Sequence, residues 1–259
     1  EGIRLIAQAA GKRLTFDFKG ADHLLTQALG SFKTVSQEQL LRQWLSQLAV
    51  LSGRNTQDMS RARTMLMREL VANLIIKVRC EEWVDFLGRW YRLIEEAMKQ
   101  FIAQYLGLAL IFDDRQTQYS DYIHALESRT DVHEFFSVRK ASGRTLNWRE
   151  INTKTGEAWL EFIDLHSPTT SVDLAERARK FLVMLKRYSG LISLRNKCIL
   201  AHGNQGVGRN EILDALNGTS IELFQKELCQ VVLGLDDPDA ILSDFQAMSE
   251  LILKTLKTT

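Results

Sequence analysis

The chain has little proline, little cysteine, no long apolar run and almost no net charge. Two prolines in 259 residues argue against a loop-rich or all-β design, because turns and strand edges are where proline is used. Three cysteines, none in a C-x-x-C pair, cannot build a disulfide framework, so a reducing compartment, the cytoplasm, is expected. No run of about 18 apolar residues occurs, which predicts no transmembrane helix. No basic-then-apolar leader is present. A net charge of +1, from 33 basic and 32 acidic residues, does not mark the whole chain as a polyanion binder. What remains is an ordinary globular composition, 45% hydrophobic and 25% charged, long enough for a sizeable core.

The hydrophobic pattern is helical almost throughout. Leu40, Leu41, Trp44, Leu45, Leu48 and Leu51 recur at helical spacing after a polar start at Ser36. A second helix is expected from Ser60, with Leu66, Leu70, Leu74 and Val78 on its apolar face. From about 81 to 105, Trp83, Phe86, Leu87, Trp90, Tyr91, Ile94, Met98, Phe101 and Tyr105 repeat every three or four residues, the pattern of a core helix. Between 113 and 168 the pattern weakens, and turn signals at Ser142-Gly143 and Thr155-Gly156 suggest an irregular insertion holding helical turns or a small hairpin. The segment 168–171 should cap a helix beginning at Val172. Three further helices, about 209–216, 220–233 and 239–256, close the chain. The expected fold is all-α, one domain over residues 1–259.

Charge is unevenly distributed along this pattern. Between Glu176 and Glu211 no acidic residue occurs, and the stretch carries Arg177, Arg179, Lys180, Lys186, Arg187, Arg195, Lys197 and Arg209. Such a block can contact phosphates or can be a solvated helix face. Within it the apolar stripe Leu174, Ala178, Phe181, Leu185, Tyr188 and Ile192 extrapolates to Arg195, Ile199 and His202. Two helical turns separate Arg195 from His202, so one helix would place both side chains on one face, about 10 Å apart. Gly190 makes the phase across it uncertain, and Gly203 is the expected C-cap. A permanently charged guanidinium and an imidazole that titrates near neutrality suit phosphodiester cleavage by charge stabilisation and proton transfer. An Arg–His pair at that spacing arises by chance in a chain of this composition, so its context carries the argument: the stripe, the amide of Asn196 and the local positive charge.

Arg195-Asn196-Lys197-Cys198-Ile199-Leu200-Ala201-His202-Gly203 resembles the R-polar-x-H signature of HEPN domains, in the form found in type III CRISPR-associated CARF–HEPN ribonucleases. Trp90 to Glu95 is similar to the core helix before the catalytic helix of that family, and Phe16 to Ala21, with Leu24 and Leu25, is similar to its entry helix. The resemblance implies an all-helical homodimer whose two Arg–His pairs form one composite site. It implies metal-independent cleavage of single-stranded RNA, leaving 2′,3′-cyclic phosphate and 5′-hydroxyl ends, with no cofactor. His202 would be the general acid/base, Arg195 the charge stabiliser and Asn196 a phosphate contact. Lys197, Arg187 and Arg209 would hold RNA, and Glu95 would support Arg195. An N-terminal CARF domain that binds cyclic oligoadenylate is expected outside this chain, which begins at Glu1. Two other readings stay open: an inactive HEPN-like module that binds RNA or nucleotide, and a helical dimerisation scaffold with an incidental Arg–His pair. Asp236-Asp237-Pro238-Asp239 is read as a turn and helix cap in preference to a cation site, and Cys80, Cys198 and Cys229 as buried thiols.

Overall fold

The computed structural model describes residues 1–32, 34–52, 59–108, 116–141, 143–149, 152–167, 172–198 and 206–256. Among these residues the chain forms thirteen helices and one short hairpin, an all-α protein. No helix among them is long and apolar enough to cross a membrane. The residues group into two compact units, Glu1–Ala72 with Asp237–Thr259, and Asn73–Asp236.

The first unit joins the two ends of the chain. It contains α1 (Gly2–Leu14), α2 (Phe18–Leu29), α3 (Val35–Leu51), the beginning of α4 (Met59–Arg79) and α13 (Asp239–Leu256). Asp17 caps α2 by accepting a hydrogen bond from Gly20 N, 2.9 Å. Ile6, Ala21, Leu25, Leu41, Trp44, Leu48, Met248 and Leu251 form its core. Asp237 accepts from Asp239 N, 2.9 Å, and Ile241 N donates to Pro238 O, 3.2 Å, so this acidic run builds the turn and helix start expected of it.

The second unit is assembled around α5 (Trp83–Leu106). Its stripe is buried as the spacing predicts: Phe86, Leu87, Trp90, Leu93, Ile94, Met98 and Phe101 are all inside. Around it lie α6 (Gln116–Glu127), α7 (Thr130–Ser137), the hairpin β1 (Lys140–Ala141) and β2 (Arg144–Thr145), α8 (Thr153–His166), α9 (Val172–Arg187), α10 (Ser189–Lys197), α11 (Arg209–Ala215) and α12 (Ile221–Leu233). The strands pair antiparallel, Lys140 opposite Thr145 and Ala141 opposite Arg144. The Phe224 ring of α12 meets Phe86, Trp90 and Tyr188 edge-on, with centroids 5.0–6.0 Å apart. Phe101 stacks on Phe181 at 5.5 Å, joining α5 to α9.

Three expectations change. The region expected to be irregular holds three helices, and α8 is core: Trp159, Leu160, Phe162 and Ile163 are fully buried. Thr155-Gly156 is the first turn of α8, capped by Asn152 Oδ1, which accepts from Lys154 N and Thr155 N. Cys80, just past the end of α4, is exposed, whereas Cys198 and Cys229 are buried. The cap expected at 168–171 lies outside the described residues, though α9 does begin at Val172.

Candidate functional site

The acid-free stretch runs through α9 and α10, and the two helices meet at a break. Tyr188, with φ −101° and ψ 25°, separates them. Gly190 lies against α11: a Cβ there would sit 2.7 Å from the Ala215 carbonyl oxygen. The break shifts the stripe by one residue, from Tyr188 to Leu191 and Cys198, which are buried. Arg195, half-buried, flanks this shifted stripe.

The helix that carries Arg195 ends early. Cys198 is extended, with φ −82° and ψ 168°, so α10 stops at Lys197. A single helix from Arg195 to His202, with its roughly 10 Å spacing, is therefore corrected. His202 and the expected Gly203 cap lie outside the described residues. Cys198 closes the turn: its N–H donates to the Leu194 and Arg195 carbonyls at 3.1 and 3.3 Å, and its thiol contacts the Arg195 carbonyl at 3.0 Å.

Arg195 is held by two side chains. Its guanidinium carbon lies 4.1 Å from the centroid of the Tyr91 ring on α5, a cation–π stack. One terminal nitrogen donates to Asn196 Oδ1, 3.2 Å. The Nε is buried with no hydrogen-bond partner among the described residues. Because Asn196 accepts through its oxygen, its amide hydrogens remain to donate outward. Glu95, one helical turn beyond Tyr91, does not reach Arg195. It faces Arg92 at 3.6 Å, so the support expected from Glu95 comes from Tyr91 instead.

The positive block is largely neutralised within the fold. Arg177 meets Asp173 at 3.7 Å, Arg179 meets Asp164 at 2.7 Å and Lys180 meets Glu176 at 2.7 Å. Lys186 pairs with Glu161 at 3.1 Å, and Arg187 with Glu227 at 2.9 Å. Folding thus brings carboxylates from α8 and α12 to a stretch whose own sequence lacks them. Glu227 also accepts from the Tyr188 hydroxyl, 2.5 Å. Burial first, and then this hydrogen bond, push the Tyr188 phenol above its ordinary pKa. Arg187, expected to hold RNA, is engaged in this cluster, on the wall of an open groove of about 560 Å³ between α9 and α12.

Three members of the block make no ion pair among the described residues: Arg195, Lys197 and Arg209. Lys197 and Arg209 are exposed. They border the segment that contains His202, Lys197 at the end of α10 and Arg209 at the start of α11. On that second flank Glu211 caps α11, accepting from Gly208 N at 3.0 Å. Arg195 and Asn196 come together with Tyr91, Lys197 follows them exposed at the end of α10, and Arg187 and Glu95 are turned to other partners. Tyr91 could have been noticed only as the hydroxyl-bearing edge of an otherwise apolar stripe. No known protein family matches this chain, and no curated protein or solved structure is similar to it.

Proposed function

We propose that the chain is a metal-independent endoribonuclease acting on single-stranded RNA, with Arg195, Asn196 and His202 at the reaction centre. The observation that carries this reading is selective neutralisation. Five of the eight cations in the acid-free stretch pair with carboxylates, and the three that make no ion pair among the described residues flank the His202 segment in sequence, Arg209 with only a longer-range attraction to Glu222. Cations free of carboxylate pairing, next in sequence to a histidine, suit a phosphodiester. The buried, unpartnered Arg195 Nε is a further donor that an anionic oxygen would satisfy.

In this reaction the ribose 2′-hydroxyl gives its proton to the imidazole, and its oxygen attacks the adjacent phosphorus. The bond to the 5′-oxygen breaks, and that oxygen takes up the proton the imidazole has accepted, giving a 2′,3′-cyclic phosphate and a 5′-hydroxyl and restoring the neutral imidazole. Arg195 balances the charge that builds on the non-bridging oxygens. Asn196 donates to the same phosphate, and Lys197 and Arg209 hold the strand. Two chains would join their Arg–His pairs at a two-fold axis, and cyclic oligoadenylate bound to a separate sensor domain would switch the site on. These last features follow from the sequence resemblance.

The test is cleavage of an end-labelled single-stranded RNA in EDTA by wild type, Arg195→Ala and His202→Ala. Wild type should produce cyclic-phosphate ends, and each variant should be at least about a hundredfold slower, the usual worth of a positioned acid/base. Equal rates for wild type and His202→Ala would overturn the proposal. So would the absence of cutting by a folded dimer, in the sensor-bearing protein, with cyclic oligoadenylate present.

A further inference from the structure

Among the described residues, the cations of the second unit that make no ion pair fall mainly in two places. One borders His202. The other is the hairpin between α7 and α8, where Lys140, Arg144 and Arg149 are exposed and make no ion pair among the described residues. Neighbouring cations do find partners: Arg129 meets Asp131 at 2.6 Å and Lys154 meets Glu157 at 3.0 Å. Arg139, at the base of the hairpin, donates to the Phe135 carbonyl at 3.0 Å and lies 3.6 Å from Glu161.

The described part of the hairpin is tied to its neighbours by hydrogen bonds. Leu146 N donates to Arg139 O, 2.9 Å, extending the ladder past the two paired residues of each strand. Trp148, which follows, is pinned through its carbonyl, accepting from the Tyr122 hydroxyl at 2.7 Å and from Trp159 Nε1 at 3.4 Å. On that pinned indole lie two polar groups. The His133 ring stacks at 5.2 Å and 22°, and the Arg149 guanidinium sits 4.9 Å from the ring centroid. His133 and Arg149 are both exposed. The Trp148 indole itself is buried, so the exposed ring is the His133 imidazole stacked on it. Exposed cations beside a supported aromatic ring are what binding of a single strand uses: charge for phosphates and a flat face for a base.

We infer that the hairpin 140–149 is a second contact for the single-stranded RNA, in which Lys140, Arg144 and Arg149 meet backbone phosphates away from the reaction centre and His133, backed by Trp148, offers a face to a base. This rests on the proposed RNA substrate, but it concerns binding and not chemistry. Lys140 and Arg144 touch no carboxylate among the described residues, and Arg149 makes only its contact with the Trp148 ring. Their loss should therefore leave the fold intact.

The test is binding of a fluorescent single-stranded RNA to the full chain carrying His202→Ala, which removes cleavage from the measurement. Affinity is read from about 50 to 200 mM salt, with and without the triple change K140Q/R144Q/R149Q. Each lost phosphate contact lowers the slope of log K against log salt by about 0.7 on a single strand, so the triple variant should lose about 2 from the slope. At the lowest salt its affinity should fall at least about tenfold. His133→Ala should weaken binding with the slope unchanged, because stacking releases no counterions. Unchanged affinity and slope in a triple variant of wild-type circular dichroism would overturn the inference, as would an equal or larger loss for a duplex of the same length. Failure of the cleavage reading is seen separately, in the wild-type chain, as RNA left uncut in EDTA while the hairpin variants still show the binding loss.

Discussion

A guanidinium needs a fixed orientation before its fork of donors can meet two oxygens of one phosphate, and a side chain with four rotatable bonds does not supply it. At Arg195 the Tyr91 ring, 4.1 Å away, and the Asn196 oxygen do so together. A cation–π contact of partly buried groups is worth about 1–2 kcal/mol. If that energy is spent on orienting Arg195, Tyr91→Ala should slow RNA cleavage by about five- to thirtyfold in kcat. Tyr91→Phe, which keeps the ring, should stay near wild type. A fall confined to KM, or an equal fall in both variants, would show that Tyr91 does not position the arginine. The sequence singled out Arg195 by extrapolating a stripe that the structure slips by one residue, and Asn196 as the amide that follows it. It did not single out their neighbour. Tyr91 and Glu95 are four residues apart on one helix face, so phase alone offers both. Only the level at which α10 meets α5 selects the ring over the carboxylate.

At the scale of the element, the break between α9 and α10 sets where Arg195 lies. Gly190 allows α10 to approach the Ala215 backbone, where a Cβ would meet the carbonyl oxygen at 2.7 Å. Two effects of opposite sign compete when it is changed to alanine. Helix propensity favours alanine by about 1 kcal/mol, while forced overpacking against backbone costs about 1–3 kcal/mol. The contact is with backbone, which cannot rotate away, so the clash should win. Gly190→Ala should lower the urea midpoint, with cleavage falling further as Arg195 is displaced. A raised midpoint would mean that the approach is not as close as described. The sequence marked Gly190 as a point where phase is lost but not the direction of the slip, because the slip is set by α11, which is remote in the pattern. Helices α5, α12 and α13 were readable nearly to the residue, each with a continuous stripe of its own. α8 was not: Thr155-Gly156 is turn-like chemistry, and here it forms a capped first turn. At Gly156 an added Cβ would fall 1.9 Å from Met98 Sδ, so this glycine serves packing against α5. The carboxylates that silence much of the positive block were likewise invisible locally, since Asp164, Glu161 and Glu227 lie outside it in sequence.

At the scale of the whole molecule, the chain begins and ends in the same unit, and a buried charge cluster ties the two segments together. Arg13 of α1 is 3% exposed. It donates through Nε to Glu69 of α4 at 2.8 Å and through a terminal nitrogen to the other Glu69 oxygen. Asp244 of α13 lies 3.6 Å away, and the Phe245 ring lies 4.6 Å beneath the guanidinium. The sequence carried no sign of this, because a lone arginine at the end of an amphipathic helix reads as a surface group. Removing one partner of a buried pair strands the other, at a cost of about 3–5 kcal/mol, whereas replacing both by apolar groups is often neutral. Glu69→Gln should therefore destabilise strongly, and R13M/E69L much less. Where the loss falls also tests the division into units, because local opening follows cooperative segments. Amide hydrogen exchange of Glu69→Gln should rise in peptides from α1, α2, α3 and α13 and stay near wild type in α5, α8, α9 and α12. A uniform rise across both sets would mean that the two units open as one, and that Arg13 helps hold the framework that positions Arg195 as well as its own.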